Sequence, residues 1–290
     1  DGWNEIITAL PLGDQTINSD TLRIISAEKD ILVKKTFDEK VQFRGKSYDG
    51  HWNVRNISCD KFGANNNPEI FLLTDNGRSP NILFRLNNEG KTIGDYVHYG
   101  LQRMFVLENS AVEKKIFLCG QNDLGETDSL SSSVLIVLDP EKINGKTESS
   151  CTPGFGMETS KAELYYMRFP LTDLNYFWKT NGYVGKATTI KYDNKNAYDL
   201  WVAGTYINDT PVFEYILSEE MKVLSVKYSS ETLRLRQKLI DEGKIKGTFD
   251  DAYLNNLKNG VRYWDGKEWQ KEPTMVKYSV VGGHQTVVKR

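Results

Sequence analysis

The stretch Glu69–Ile93, EIFLLTDNGRSPNILFRLNNEGKTI, decides how the rest of the chain is read. Its apolar runs Ile70–Leu73 and Ile82–Leu86 flank Asp75, Asn76, Gly77 and Pro80, and a second turn follows at Asn87-Asn88-Glu89-Gly90. That is strand, turn, strand, turn. The pattern returns twice: Lys115–Gly145 reads KIFLCGQND, a polar loop, then SVLIVLDPEKING, and Asp199–Val223 reads DLWVAGTYINDTPVFEYILSEEMKV. Counting Leu22, Ile70, Ile116, the region of Glu163 and Leu200 as unit starts gives steps of about 37–48 residues, close to the length of a four-stranded propeller blade. A small sheet has two apolar faces, and both stay wet until neighbours stack on them. The expected fold is therefore all-β, a single β-propeller domain over residues 1–290 with five to six blades; a β-sandwich is the alternative.

Beyond the repeats the pattern changes. Ser229-Ser230-Glu231-Thr232 opens LRLRQKLIDEG, with a serine placed to cap and Gly243 placed to end it, and Thr248-Phe249-Asp250-Asp251 opens AYLNNLKNG in the same way. A short two-helix insertion is expected at 229–260. VRYWDGKEW follows, where Asp265-Gly266 signals a two-residue hairpin, and Met275–Val281 is the last strand expected. A strand from one chain end would then complete a sheet begun by the other.

Composition narrows the function classes. Hydrophobic residues at 39% and charged residues at 26% suit a globular chain, and 15 Tyr, 12 Phe and 6 Trp favour strands. A net charge of −2 leaves no basic excess for nucleic acid. No apolar run reaches the roughly 20 residues of a membrane span. The opening at Asp1-Gly2-Trp3 fits a trimmed start after a signal peptide or an upstream anchor as well as a cytosolic boundary. Cys59, Cys119 and Cys151 are too few for a disulfide scaffold, although one bridge is compatible with them; Cys119, beside Ile116–Leu118, reads as a small buried apolar residue.

Catalytic patterns are sparse. The three histidines, His51, His98 and His284, form no HExxH, and there is no GxSxG or phosphate-binding glycine loop. Asp250-Asp251 and Glu219-Glu220 read as a helix start and a turn. Aromatic side chains offer more, because Tyr and Trp give rigid contact area for sugars or peptides. They cluster in LYYMRFPLTDLNYFWK (164–179) and on the final hairpin. Ligand contacts are therefore expected at His98, Asn122, Asp123, Tyr166, Trp178 and Trp264, with core packing as the competing reading of the aromatics. The loops at 122–133 and 144–160 are the first places to look for a partner.

The segments DKFGANNNPEI (60–70), NILFRLNNEGK (81–91), HYG (98–100), CGQND (119–123) and VLDPEKING (137–145) together resemble FG-GAP and integrin-α-like propeller repeats in a divergent bacterial form. The resemblance covers about residues 50–225. It implies a non-catalytic recognition or sensor propeller for a protein or carbohydrate ligand, commonly extracytoplasmic. That family's calcium loop wants oxygens at alternate positions, and here Phe62 and Ala64 occupy two of them. Asp60, Asn65, Asn67 and Glu69 are the remaining calcium candidates, against a reading as plain turn residues; otherwise no cofactor is expected. Two alternatives stand beside recognition: a glycoside-active hydrolase using acids at a channel mouth, and a structural subunit of a larger assembly.

Overall fold

The computed structural model of the chain describes residues 6–8, 21–43, 46–50, 52–62, 67–76, 80–98, 100–109, 111, 113–122, 130–143, 145–146, 160–203 and 212–277. Strands β1 (Ile6–Thr8), β2 (Thr21–Ile25) and β3 (Ile31–Thr36) form an antiparallel first sheet, followed by a ribbon of β4 (Val41–Phe43) and β5 (Lys46–Tyr48). The second sheet is a meander of β6 (Asn53–Phe62), β7 (Asn67–Asp75), β8 (Asn81–Leu86) and β9 (Thr92–His98). The third begins with β10 (Leu101–Glu108), β11 (Lys114–Asn122) and β12 (Ser132–Leu138). After a 3-10 turn at Pro140–Lys142, β13 (Gly145–Lys146) adds in parallel to β9, and the chain returns as β14 (Glu163–Arg168) beside β12. Helix α1 (Asp173–Trp178) leads to the fourth sheet, β15 (Tyr183–Tyr192), β16 (Lys195–Ala203), β17 (Val212–Ser218) and β18 (Val223–Tyr228). Helices α2 (Ser230–Asp241) and α3 (Asp251–Gly260) precede β19 (Arg262–Trp264) and β20 (Trp269–Gln270), which extend the third sheet past β14.

Why the sequence gives this stack is visible in side-chain alternation. On the third sheet Phe117, Cys119, Leu135, Val137 and Met167 face the fourth, where they meet Tyr198, Leu200, Val202, Phe213 and Tyr215. The intervening residues Ile116, Leu118, Val134, Ile136 and Leu138 face the second sheet and meet Phe71, Leu73, Leu83 and Tyr96. The second sheet's other face, Ile70, Leu72, Ile82 and Phe84, packs on Leu22 and Ile24 of the first and on Trp52. Both middle sheets are thus buried on two faces, which is why their strands read as unbroken apolar runs such as IFLL and VLIVL. Burying one such Leu, Ile or Phe contributes about 1.5–3 kcal/mol, so the three interfaces hold the sheets together against chain entropy. The architecture is all-β, with four sheets packed in series rather than the two layers of a sandwich.

One turn recurs. Ser26, Asn87 and Ser218 each accept the backbone N–H groups two and four residues on through a side-chain oxygen, at 2.9–3.2 Å. Three residues on, Lys29, Gly90 and Met221 each have positive φ, between 64° and 75°. This turn closes β2–β3, β8–β9 and β17–β18, and Asn109 accepts the N–H groups two and four residues on in the same way between β10 and β11, the first hairpin of the third sheet. Two sequence expectations change. Leu22 lies in β2, the central strand of the first sheet, with β1 before it, so it does not start that sheet. Glu163 starts no unit of its own, because β14 hydrogen-bonds β12 within the third sheet after a long excursion through the 3-10 turn.

The helices form where their caps predict. Ser229 Oγ accepts the Thr232 N–H at 3.1 Å, and Asp250 Oδ1 accepts the Tyr253 N–H at 3.0 Å. Thr232 Oγ1 then bonds both the N–H and C=O of Val212, fastening α2 to the start of β17. The Asp265 turn differs from its two-residue expectation. Trp264 pairs with Trp269, leaving a four-residue loop in which Asp265 Oδ1 accepts the Lys267 and Glu268 N–H groups, each at 2.8 Å. β19 and β20 join the third sheet, so among the described residues the C-terminal strands do not complete the first. The end of the expected strand Met275–Val281 lies outside the described residues.

Candidate functional site

Strand direction sorts the connections onto two ends of the stack. One end carries the β7–β8, β11–β12 and β16–β17 loops together with the β9–β10 and β14–β15 connections. Hydrogen bonds link them: Asn81 Oδ1 accepts the Leu101 N–H at 2.7 Å, Gly100 O accepts the Gln121 N–H at 3.0 Å, and Asn181 Oδ1 accepts the Ser131 N–H at 2.8 Å. A small pocket lined by Ser133, Thr172, Asn175, Ala203 and Phe213 joins the third and fourth sheets there. The opposite end holds tight turns and the 3-10 turn at Pro140–Lys142. Of the two loops expected to meet a partner, 122–133 starts where β11 ends, and 144–160 is described at Gly145–Lys146, which run parallel to β9, and at Ser160.

His98 and Tyr166, separated by 68 residues, are brought together, with His98 Nε2 2.9 Å from Tyr166 Oη. Beside them Tyr96 Oη donates to Glu163 Oε1 at 2.7 Å. All four residues are fully buried between the second and third sheets. Trp269 meets Tyr166 edge-on at 6.1 Å and Trp264 at 5.4 Å, and the Arg168 guanidinium lies 4.5 Å from the Trp269 ring. Trp264 thus joins this cluster at its half-buried rim. Such a network fixes the register of two sheets and satisfies polar groups that water cannot reach.

The other expected site residues fall elsewhere. Trp178 ends α1, half-exposed against Phe177 at 5.9 Å. Asn122 ends β11 opposite Ser132, and Asp123 lies outside the described residues. Of the calcium candidates, Asn65 lies outside the described residues, and Asn67 is exposed at the start of β7. Asp60 is ion-paired with Lys114. Glu69 is held by Arg85, whose Nε and Nη2 each donate at 2.6 Å while Nη1 reaches the carbonyls of Glu141 and Ile143. Both carboxylates are therefore committed to side-chain cations. Among the described residues no group of three His, Cys, Asp or Glu is placed to hold a metal ion, and no helix is long and apolar enough to cross a membrane.

The loop end keeps aromatic side chains in water. Tyr176 on α1 is 62% exposed and Phe177 37%, while Trp201, two residues from the end of β16, is 43% exposed. α1 is short, yet firmly set: Thr172 and Asn175 form a reciprocal cap, and Arg236 of α2 holds Asp173. Trp201 stands on the outer face of the fourth sheet, away from the third. Cross-strand register puts Lys186, Trp201, Glu214 and Lys227 in one row on that face, and Thr188, Asp199, Ile216 and Ser225 in the next. Lys186 Nζ lies 4.3 Å from the Trp201 ring. Asp199 is only 7% exposed, and its Oδ1 has no hydrogen-bond partner among the described residues. Burial pushes its carboxyl above the ordinary aspartate value and Glu214 pushes the same way, while Lys186 and the indole pull it back.

Sequence reading missed this row, although DLWVAG carries its signal. Leu200 and Val202 point inward, so Asp199 and Trp201, at the alternate positions, share the opposite face. No protein-family model, no curated protein and no solved structure matches the chain.

Proposed function

We propose that the chain is a non-catalytic recognition module for a protein or carbohydrate ligand, built from propeller-type blades of the FG-GAP and integrin-α-like kind and working outside the cytoplasm. The observation that supports this reading is the exposure of Tyr176, Phe177 and Trp201 at the end where connections from the second, third and fourth sheets gather. Large aromatics in water cost solvation, and a rigid scaffold presenting them recovers that cost when a partner covers them. A hydrolase is the second reading, favoured by the Asp199 carboxyl held above its ordinary value beside Glu214.

Equilibrium dialysis against neutral oligosaccharides and against a displayed peptide library, with mass spectrometry of the recovered ligand, separates the readings. Recognition predicts saturable binding and an intact ligand. Cleaved product would favour the hydrolase, and absence of binding to either class would remove recognition altogether.

A further inference from the structure

The outer face of the fourth sheet carries more than a stray aromatic residue. Its two central rows, Lys186–Trp201–Glu214–Lys227 and Thr188–Asp199–Ile216–Ser225, set one indole among two ammonium groups, two carboxylates, two hydroxyls and the buried Ile216. We infer that this face is a binding platform for a neutral saccharide, with Trp201 as the stacking surface and Asp199 and Glu214 as acceptors for sugar hydroxyl groups. The inference rests on the recognition reading and narrows its ligand class at this one place.

Three observations lead to that ligand rather than another. Asp199, only 7% exposed, hydrogen-bonds the Trp201 indole and Glu214 yet leaves its Oδ1 with no hydrogen-bond partner among the described residues, so a donor brought in by a ligand would satisfy that atom. Charges on the two rows balance, two lysines against Asp199 and Glu214, so the face offers no net attraction to an anion or a cation. It offers donors and acceptors side by side, as a ring of hydroxyl groups requires. Trp201 is braced by Lys186 at 4.3 Å and still 43% exposed, leaving apolar surface for the C–H face of a pyranose.

The test is isothermal titration of the chain with a panel of neutral cello-, xylo-, manno-, malto- and chito-oligosaccharides, read in parallel by tryptophan fluorescence. One or more should bind with a change in Trp emission. Trp201→Ala should weaken that binding about ten-fold or more, and Asp199→Asn should weaken it several-fold while thermal melting shows the fold intact. Leu32→Ala, at an exposed position of the first sheet, should leave it unchanged. Binding of no member of the panel, or binding that Trp201→Ala leaves within two-fold, would overturn the assignment. Loss of peptide binding in Tyr176→Ala/Phe177→Ala, with no sugar bound by the parent chain, would sink this platform and leave recognition at α1 standing.

Discussion

Replacing Arg236 is the sharpest perturbation of the scaffold that presents α1. The side chain is 1% exposed, its Nε and Nη2 donate to Asp173 Oδ2 at 3.0 and 2.7 Å, and Nη1 donates to Thr248 O at 2.9 Å. Its guanidinium carbon lies 4.9 Å from the Phe249 ring and 4.2 Å from the Tyr253 ring, while Tyr253 Oη donates to Asp173 Oδ1 at 2.9 Å. Removing one partner of a buried pair costs about 3–5 kcal/mol. Asp173 keeps 28% of its side chain in solvent, so water recovers part of this and the lower end of that range applies. Loss of two ring contacts adds about 1 kcal/mol. Arg236→Ala should therefore destabilise by about 4 kcal/mol, or about 8 °C at roughly 2 °C per kcal/mol for a chain of this size. Arg236→Met combined with Asp173→Asn, which leaves no uncompensated charge, should recover most of the loss. Scanning calorimetry on Arg236→Ala and on the four members of the Arg236→Met/Asp173→Asn cycle measures it. A shift below 2 °C for Arg236→Ala, or additive single and double variants, would refute the reasoning.

Three further outcomes follow from particular contacts. Gly120→Ala should cost about 2–3 kcal/mol in urea unfolding, because the added Cβ presses on the Gly100 carbonyl oxygen and comes within 2.8 Å of Leu101 Cα, both backbone atoms that cannot step aside. Asp199→Asn should not lower the melting temperature at pH 7. A carboxyl whose folded pKa is raised contributes stability fully present only below its unfolded value and lost as pH rises through the folded one, so the neutral amide is spared that loss; a clear drop in melting temperature would count against the stated cause. Burial pushes Tyr198 up to about 12, with Glu219 and Glu220 adding to it. Its contribution is complete below about pH 10 and is lost as pH rises from there through about 12. Tyr198→Phe should flatten the alkaline limb of the stability curve over that window, and an unchanged limb would show that Tyr198 does not carry it.

Much of the fold was legible because burial on two faces writes itself plainly into sequence. IFLL, ILF and VLIVL could only be strands covered on both sides, and serine and aspartate caps marked α2 and α3. What stayed hidden depends on partners distant along the chain. Nothing local tells Glu163 to pair with β12 across the 139–162 excursion, and spacing alone therefore made it a separate unit. α1 has six residues, too few for helical periodicity to emerge, although the Thr172–Asn175 cap stood in the sequence. His98 and Tyr166 were picked separately as ligand contacts, yet their meeting between two sheets needs the stacking order that no segment encodes by itself. Trp178 drew attention through its neighbours, while the helix turns Tyr176 furthest into water. The shared face of Asp199 and Trp201 needed only period-two alternation, but which face of the fourth sheet stays uncovered by the third is a tertiary fact.

Hydrogen-exchange mapping of the chain with and without a bound ligand tests the recognition surface most directly. Protection should appear at 170–182 and along β15–β17, and the far-end turns at 87–91, 109–113 and 218–222 should exchange as before. Protection centred on those far-end turns, with the loop end unaffected, would contradict the account.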